Sequence, residues 1–252
     1  MAPPGRGRSA LIGALAFLTI FGRGRRPDPS QQPWFPVVGA AIGAMVGLVW
    51  WGASQWWPPA VAGGLALATD LLLTGLLHID GLADTADGLL PHMDRERRLA
   101  VMSAPDTGAF AVATVVAMLV LRWAALGSNE LRGAQMVAAS AGIWALSRGL
   151  MVTAMNTMTY ARPNGGLGNV FGRTGSTART AGIAGLSLAL GVGGLMLGRG
   201  AAIGAIVAIA AIAAGVGVLL LGRRRLGGYT GDVLGAAGVV LETVGLVALA
   251  AR

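Results

Sequence analysis

Three aspartates carry the strongest chemical signal in this sequence of 252 residues. Asp80, Asp84 and Asp87 stand at i, i+4 and i+7 within His78-Ile79-Asp80-Gly81-Leu82-Ala83-Asp84-Thr85-Ala86-Asp87-Gly88. On an α-helix, at about 100° per residue, their side chains fall within roughly 60° of one another. Three carboxylates on one stripe repel each other unless a cation sits among them. A hard divalent ion such as Mg²⁺ takes oxygen ligands and fits that need. A merely solvated helix face would more often set Lys or Glu beside the acids, and the neighbours here are Gly, Ala, Leu and Thr. Asp106, which follows Pro105, either completes the metal site from a second helix or is a first-turn acid facing a helix dipole. His78 projects roughly 120–180° away from the stripe on a continuous helix, which argues against its binding the same metal. His92 lies in a Pro-Arg loop and reads as exposed.

A second group of residues has the chemistry of phosphate recognition. In Tyr160-Ala161-Arg162-Pro163-Asn164-Gly165-Gly166-Leu167-Gly168, glycines let backbone N–H groups approach phosphate oxygens, and Arg binds them bidentately. Arg162, Gly165, Gly166 and Gly168 are therefore candidate substrate contacts. Asp232, in Gly227-Gly228-Tyr229-Thr230-Gly231-Asp232, is either a further acid of the site or a first-turn helix residue behind a Thr230 cap. Arg148 lies in an apolar stretch and needs a partner, for which Glu242 and Asp70 are the candidates. Asp70 itself either extends the acidic stripe, about 40° from Asp84 around a continuous helix, or is held by Thr69 or Thr74. Clustered Asp, Mg²⁺, Arg and Gly loops together favour phosphoryl or nucleotidyl-phosphate transfer.

The elements that position these residues follow from hydropathy. The chain is 54% hydrophobic and 12% charged, with mean hydropathy +0.67. Soluble domains carry about 25% charged residues. The reading is a single all-α domain over residues 1–252, a polytopic membrane bundle with no Cys for disulfides or thiolate metal sites. Residues 9–21 are too short to cross about 30 Å of hydrocarbon and read as an interfacial helix, uncleaved because no small-residue site follows. Seven spans are expected, at 36–51, 60–77, 107–126, 134–155, 181–197, 201–221 and 233–251. Gly39, Gly43 and Gly47, four residues apart, make a flat face for close helix contact.

The net charge is +8 and every one of the 19 basic residues is Arg. The arginines fall in short loops between spans, which speaks for membrane orientation and against nucleic acid. With seven spans, fourteen of the 19 lie on one side, three on the other and two within spans. The Arg-rich side is expected to be cytoplasmic, and it gathers the acidic stretch, the 160–179 loop and the 227–232 loop onto one face.

The acidic motif resembles the signature of the cobalamin 5′-phosphate synthase family, the adenosylcobinamide-GDP ribazoletransferases. The likeness recurs at Trp34-Phe35-Pro36-Val37-Val38-Gly39, at Ser147-Arg148, across 160–171 and across 227–236. It implies a Mg²⁺-dependent, multi-pass enzyme of the inner membrane with its active site facing the cytoplasm. The implied substrates are adenosylcobinamide-GDP and α-ribazole or its 5′-phosphate, with GMP released. The resemblance further implies that Asp80, Asp84 and Asp87 hold metal on the diphosphate while Arg162 and the glycines after it contact phosphate, and that Arg148 helps set the site, which puts Asp84, Asp87 and Arg148 at the chemistry. Many relatives carry an acid two residues after the Met matching Met102; this chain has Ala104 there, and its acid is Asp106. Two rivals are a CDP-alcohol phosphotransferase-like lipid enzyme and a transporter coupled through Asp70, Arg148 and Glu242. The first lacks its Ala-Arg and paired-Asp spacing here, and the second lacks a repeat. A homo-oligomer stays open.

Overall fold

The computed structural model describes residues 6–22, 26–128, 130–131, 133–162, 170–171 and 176–251. Among them are ten α-helices and no strand. They are α1 (Arg6–Leu18), α2 (Phe35–Ser54), α3 (Pro59–Thr74), α4 (Leu77–Leu89) and α5 (Arg95–Val101), then α6 (Ala109–Ser128), α7 (Ala134–Thr157), α8 (Thr177–Arg199), α9 (Ala201–Leu226) and α10 (Gly231–Ala250). A 3₁₀ turn, Pro29–Trp34, leads into α2.

Starts and stops follow local chemistry. Prolines with preset φ open α2 and α3. Ser176 and Thr230 cap α8 and α10 with their hydroxyls. Gly227, at φ 78°, closes α9 in the left-handed conformation that glycine adopts without a steric penalty.

Six helices are long and apolar enough to cross a membrane: α6 to α10, and α2 with its 3₁₀ lead-in. At about 1.5 Å per residue, twenty residues cover the roughly 30 Å of hydrocarbon. Helix α7 is the hub. Gly39 and Gly47 of α2 back directly onto it, where an added Cβ would lie 2.5 Å from the Trp144 carbonyl and 2.7 Å from Val137 Cα. The expected glycine face is therefore the α2–α7 contact. Gly142 meets α8 in the same way, its added Cβ 2.5 Å from the Gly191 carbonyl.

The second expected span does not run on into the acidic stretch. Helix α3 stops at Thr74, and two consecutive left-handed residues follow, Gly75 at φ 59° and Leu76 at φ 63°. Helix α4 then leaves at 89° to α3. A seventh crossing is reached only if α3 and α4 are counted together as one bent span, with α3 packed on α2 and α6. Helix α4, of 13 residues, is too short to span and lies across the bundle. Helix α1 is likewise short, and Ala14 and Leu18 bury its apolar side against the bundle.

Because the helix breaks, Asp70 does not extend the acidic stripe. Its carboxylate is 3.1 Å from Arg122 and accepts a 2.9 Å bond from Trp144 Nε1. Arg122 also reaches Glu242 at 2.5 Å, and Glu242 reaches Arg148 at 2.5 Å. Two guanidiniums and two carboxylates from α3, α6, α7 and α10 thus neutralise one another inside the bundle, all nearly inaccessible. Arg122 stacks on the Trp144 ring, 5.4 Å from its centroid. Arg148 bonds Glu242 and Ser147 Oγ. An arginine buried among apolar helices needs such a partner, and Glu242 is one of the two expected for it.

Candidate functional site

Helix α4 is pressed onto α10 at two glycines. A Cβ on Gly81 would lie 2.9 Å from the Asp232 carbonyl, and one on Gly235 would lie 3.3 Å from His78 Cα. This close approach sets the exposed Asp80 on the side where Asp232 opens α10. Arginines pin the other end of α4. Arg98 donates to the carbonyls of Gly88 at 2.7 Å and Pro91 at 2.9 Å, and Arg225 also bonds the Leu89 carbonyl. Cations at helix C-termini satisfy carbonyls that no amide can reach.

Arg162 arrives by a different route. Tyr229 N–H donates to Thr159 and Ala161 N–H to Tyr229, at 2.9 and 2.8 Å, a short parallel bridge between two loops. Arg95 locks it by donating to the carbonyls of Leu226 at 2.8 Å and Ala161 at 2.7 Å. Arg162 then stands 2.6 Å from Asp232, both about three-quarters buried. Thr230 does cap α10, its Oγ 3.2 Å from Val233 N, so Asp232 is at once a first-turn acid and a member of this cluster.

Asp80, Arg162 and Asp232 line the polar side of a cavity of about 280 Å³ between α1, the start of α2, α4, α7 and α10. Phe17, Phe35, Met151 and Met155 form its apolar side, and His78 also lines it. Asp84 sits one turn beyond Asp80. Partial burial, and the charges of Asp232 and Asp80 beside it, push its carboxyl up to about 6, against a smaller opposing pull from Arg162. Burial also holds the Tyr160 phenol above its ordinary value, so this cavity hydroxyl stays protonated.

Asp87 parts company with its two neighbours. Its carboxylate accepts from Gly108 N at 2.6 Å and from Ala111 N at 2.9 Å, capping the amino end of α6. These two bonds tie α4 to the start of α6, and each carboxylate oxygen keeps a lone pair that no amide uses. Asp106 is exposed ahead of α6, and the capping position open to it is occupied by Asp87. Gly165, Gly166 and Gly168 lie outside the described residues. His92 is exposed, as expected.

Among the described residues, no three His, Asp or Glu side chains are gathered closely enough to form a ready-made ion site. Asp80 and Asp84 nevertheless suit Mg²⁺, which is commonly held by one or two carboxylates plus substrate phosphates and water.

Sequence reasoning missed Arg122, Trp144 and the apolar wall. Met151 and Met155, four residues apart on one face of α7, were the available hint. Which face of α7 meets which helix cannot be read from spacing alone.

The family model described as cobalamin-5-phosphate synthase matches residues 10–250. A relative from Citrobacter koseri named adenosylcobinamide-GDP ribazoletransferase is 38% identical over 85% of this chain and 85% of its own length. One of the same name from Leptothrix cholodnii is 37% identical over 82% of this chain and 80% of its own. Another, from Chlorobium phaeovibrioides, is 32% identical over 93% and 94%. No solved structure matches the chain. With that match running from α1 to the end of α10, the chain belongs to the cobalamin-5-phosphate synthase family.

Proposed function

We propose that this membrane protein is an adenosylcobinamide-GDP ribazoletransferase working at the cytoplasmic face of the inner membrane. It joins adenosylcobinamide-GDP to α-ribazole or α-ribazole 5′-phosphate and releases GMP. One observation carries the reading: Asp80 and the Arg162–Asp232 pair line one cavity in a chain that the family model spans from residue 10 to 250.

In this reading Arg162 binds diphosphate oxygens, giving up its contact with Asp232 as the anion arrives. Asp80 and Asp84 would hold Mg²⁺, and Asp87 keeps their helix in register with α6. A bound ion would supply charge stabilisation to the diphosphate and the departing phosphate. A ribose hydroxyl oxygen of ribazole bonds to the cobinamide-linked phosphorus. The phosphorus–oxygen bond to the guanylyl phosphate breaks, GMP keeps that electron pair, and the hydroxyl proton passes to solvent. The transporter alternative draws no support, because Asp70, Arg148 and Glu242 are spent on one another and on Arg122.

GMP release by the purified protein, with and without chelator, tests the proposal. Wild type is expected to release GMP only with both substrates and Mg²⁺ present. Asp84→Asn should lose most of that turnover while inserting normally. Chelator-insensitive release, or full turnover by Asp84→Asn, would overturn the metal assignment.

A further inference from the structure

We infer that the apolar cavity beside Asp80 is the seat of the aromatic base of the ribazole substrate, and that His78 Nδ1 is the polar atom that reads the base's free ring nitrogen. This rests on the proposed function and assigns residues to one half of it.

Size comes first. A cavity of about 280 Å³ is at the low end of the roughly 300–1,000 Å³ typical of small-molecule sites. It admits a flat bicyclic ring and excludes a corrin macrocycle with its amide arms. The corrinoid must therefore stay outside, and one of the two nucleoside bases enters.

Wall chemistry then chooses between the bases. Phe17, Phe35, Leu77, Met151, Met155 and Leu234 supply aromatic, aliphatic and thioether surface. Phe17 and Phe35 stack at 5.7 Å between centroids and are braced edge-on by Phe171. Methionine sulfurs and aromatic edges pair well with a ring inserted among them. Guanine carries donors and acceptors around its whole edge, and a wall this apolar would strand most of them at a cost. The methylated benzimidazole of ribazole is apolar except for one unsubstituted ring nitrogen, an acceptor.

His78 matches that single need. It is 7% exposed, lines the cavity, and its Nδ1 is buried with no hydrogen-bond partner. Buried polar atoms are nearly always paired, so an unpartnered one on a residue that lines a cavity calls for a partner. The α4–α10 contact at Gly235 fixes the ring's backbone and hence its reach. The phosphate-binding Arg162 lies at the polar side of the same cavity, where the ribose of a seated nucleoside would emerge.

The test pairs a variant with a substrate analogue. Ribazole 5′-phosphate and its indole counterpart, which lacks the free ring nitrogen, are compared as acceptors for wild type and His78→Ala in detergent with Mg²⁺. Wild type is expected to lose about tenfold in kcat/KM on the indole acceptor, the worth of one buried hydrogen bond. His78→Ala should lose about tenfold on ribazole 5′-phosphate and then treat both acceptors alike, with KM for adenosylcobinamide-GDP unchanged. Retained discrimination by His78→Ala overturns the assignment. If His78→Ala does not fold, Met155→Trp serves: filling the cavity should raise KM for both acceptors and spare that of the corrinoid, and the opposite pattern refutes the seat. Failure of wild type to release GMP at all would instead refute the proposed function.

Discussion

Glu242 is the keystone of the ion quartet, since among the described residues it alone bonds both Arg122 and Arg148. Glu242→Gln keeps the shape and removes one negative charge. Two guanidiniums then share only Asp70, and one cation is left uncompensated among apolar helices. Breaking a buried pair in this way costs about 3–5 kcal/mol. At roughly 2–4 °C per kcal/mol for a chain of this length, the apparent Tm should fall by about 6–20 °C. Thermal unfolding in detergent, followed by circular dichroism, measures it. The double variant Arg148→Met/Glu242→Gln removes one charge of each sign and leaves Asp70–Arg122 intact. It should recover at least about 2 kcal/mol of the loss, a coupling typical of residues in direct contact. If Glu242→Gln melts within about 2 °C of wild type, or the double variant melts no higher than the single, the quartet does not hold the bundle as described.

At pH 8 without Mg²⁺, Asp84→Asn should melt above wild type. The folded carboxyl, pushed up to about 6 from an ordinary 3.8, binds its proton more tightly than the unfolded chain does, so its charge burdens the fold above about pH 6. That advantage should fade as pH falls toward 4, and Mg²⁺ should stabilise wild type but not the variant; melting curves over pH and metal check both. Asp87→Ala should cost about 1–2 kcal/mol through loss of the α6 cap, and Asp87→Asn less, as denaturant or thermal titration will show. Gly75→Ala places a Cβ at φ 59° and 3.0 Å from Ile20 Cγ2, and should cost about 1–2 kcal/mol by the same assay.

Much of the architecture was legible because hydropathy and glycine spacing are local signals. The long helices, the Gly39–Gly47 contact face and the Thr230 cap all follow from residues close in sequence. The turn at Gly75-Leu76 was not, because a leucine in left-handed conformation leaves no compositional trace, and continuity through residues 74–77 was the natural inference. That missed turn misplaced Asp70. Asp87 shares the stripe's periodicity with Asp80 and Asp84, yet its partners are amides 21 and 24 residues away. Spacing within a helix reports which side chains point together, but not what comes to meet them. The cavity wall was hidden for the same reason, being assembled from α1, the start of α2, α4, α7 and α10.

The quartet also has a consequence for biogenesis. Its members leave the ribosome in the order Asp70, Arg122, Arg148, Glu242. The first two can find each other while the nascent chain is being inserted. The third enters lipid with no acid left over, and must wait for almost a hundred further residues before its counter-charge is made. A chain stalled or cut before α10 therefore carries a naked arginine in the bilayer, a flag that membrane quality-control proteases could act upon.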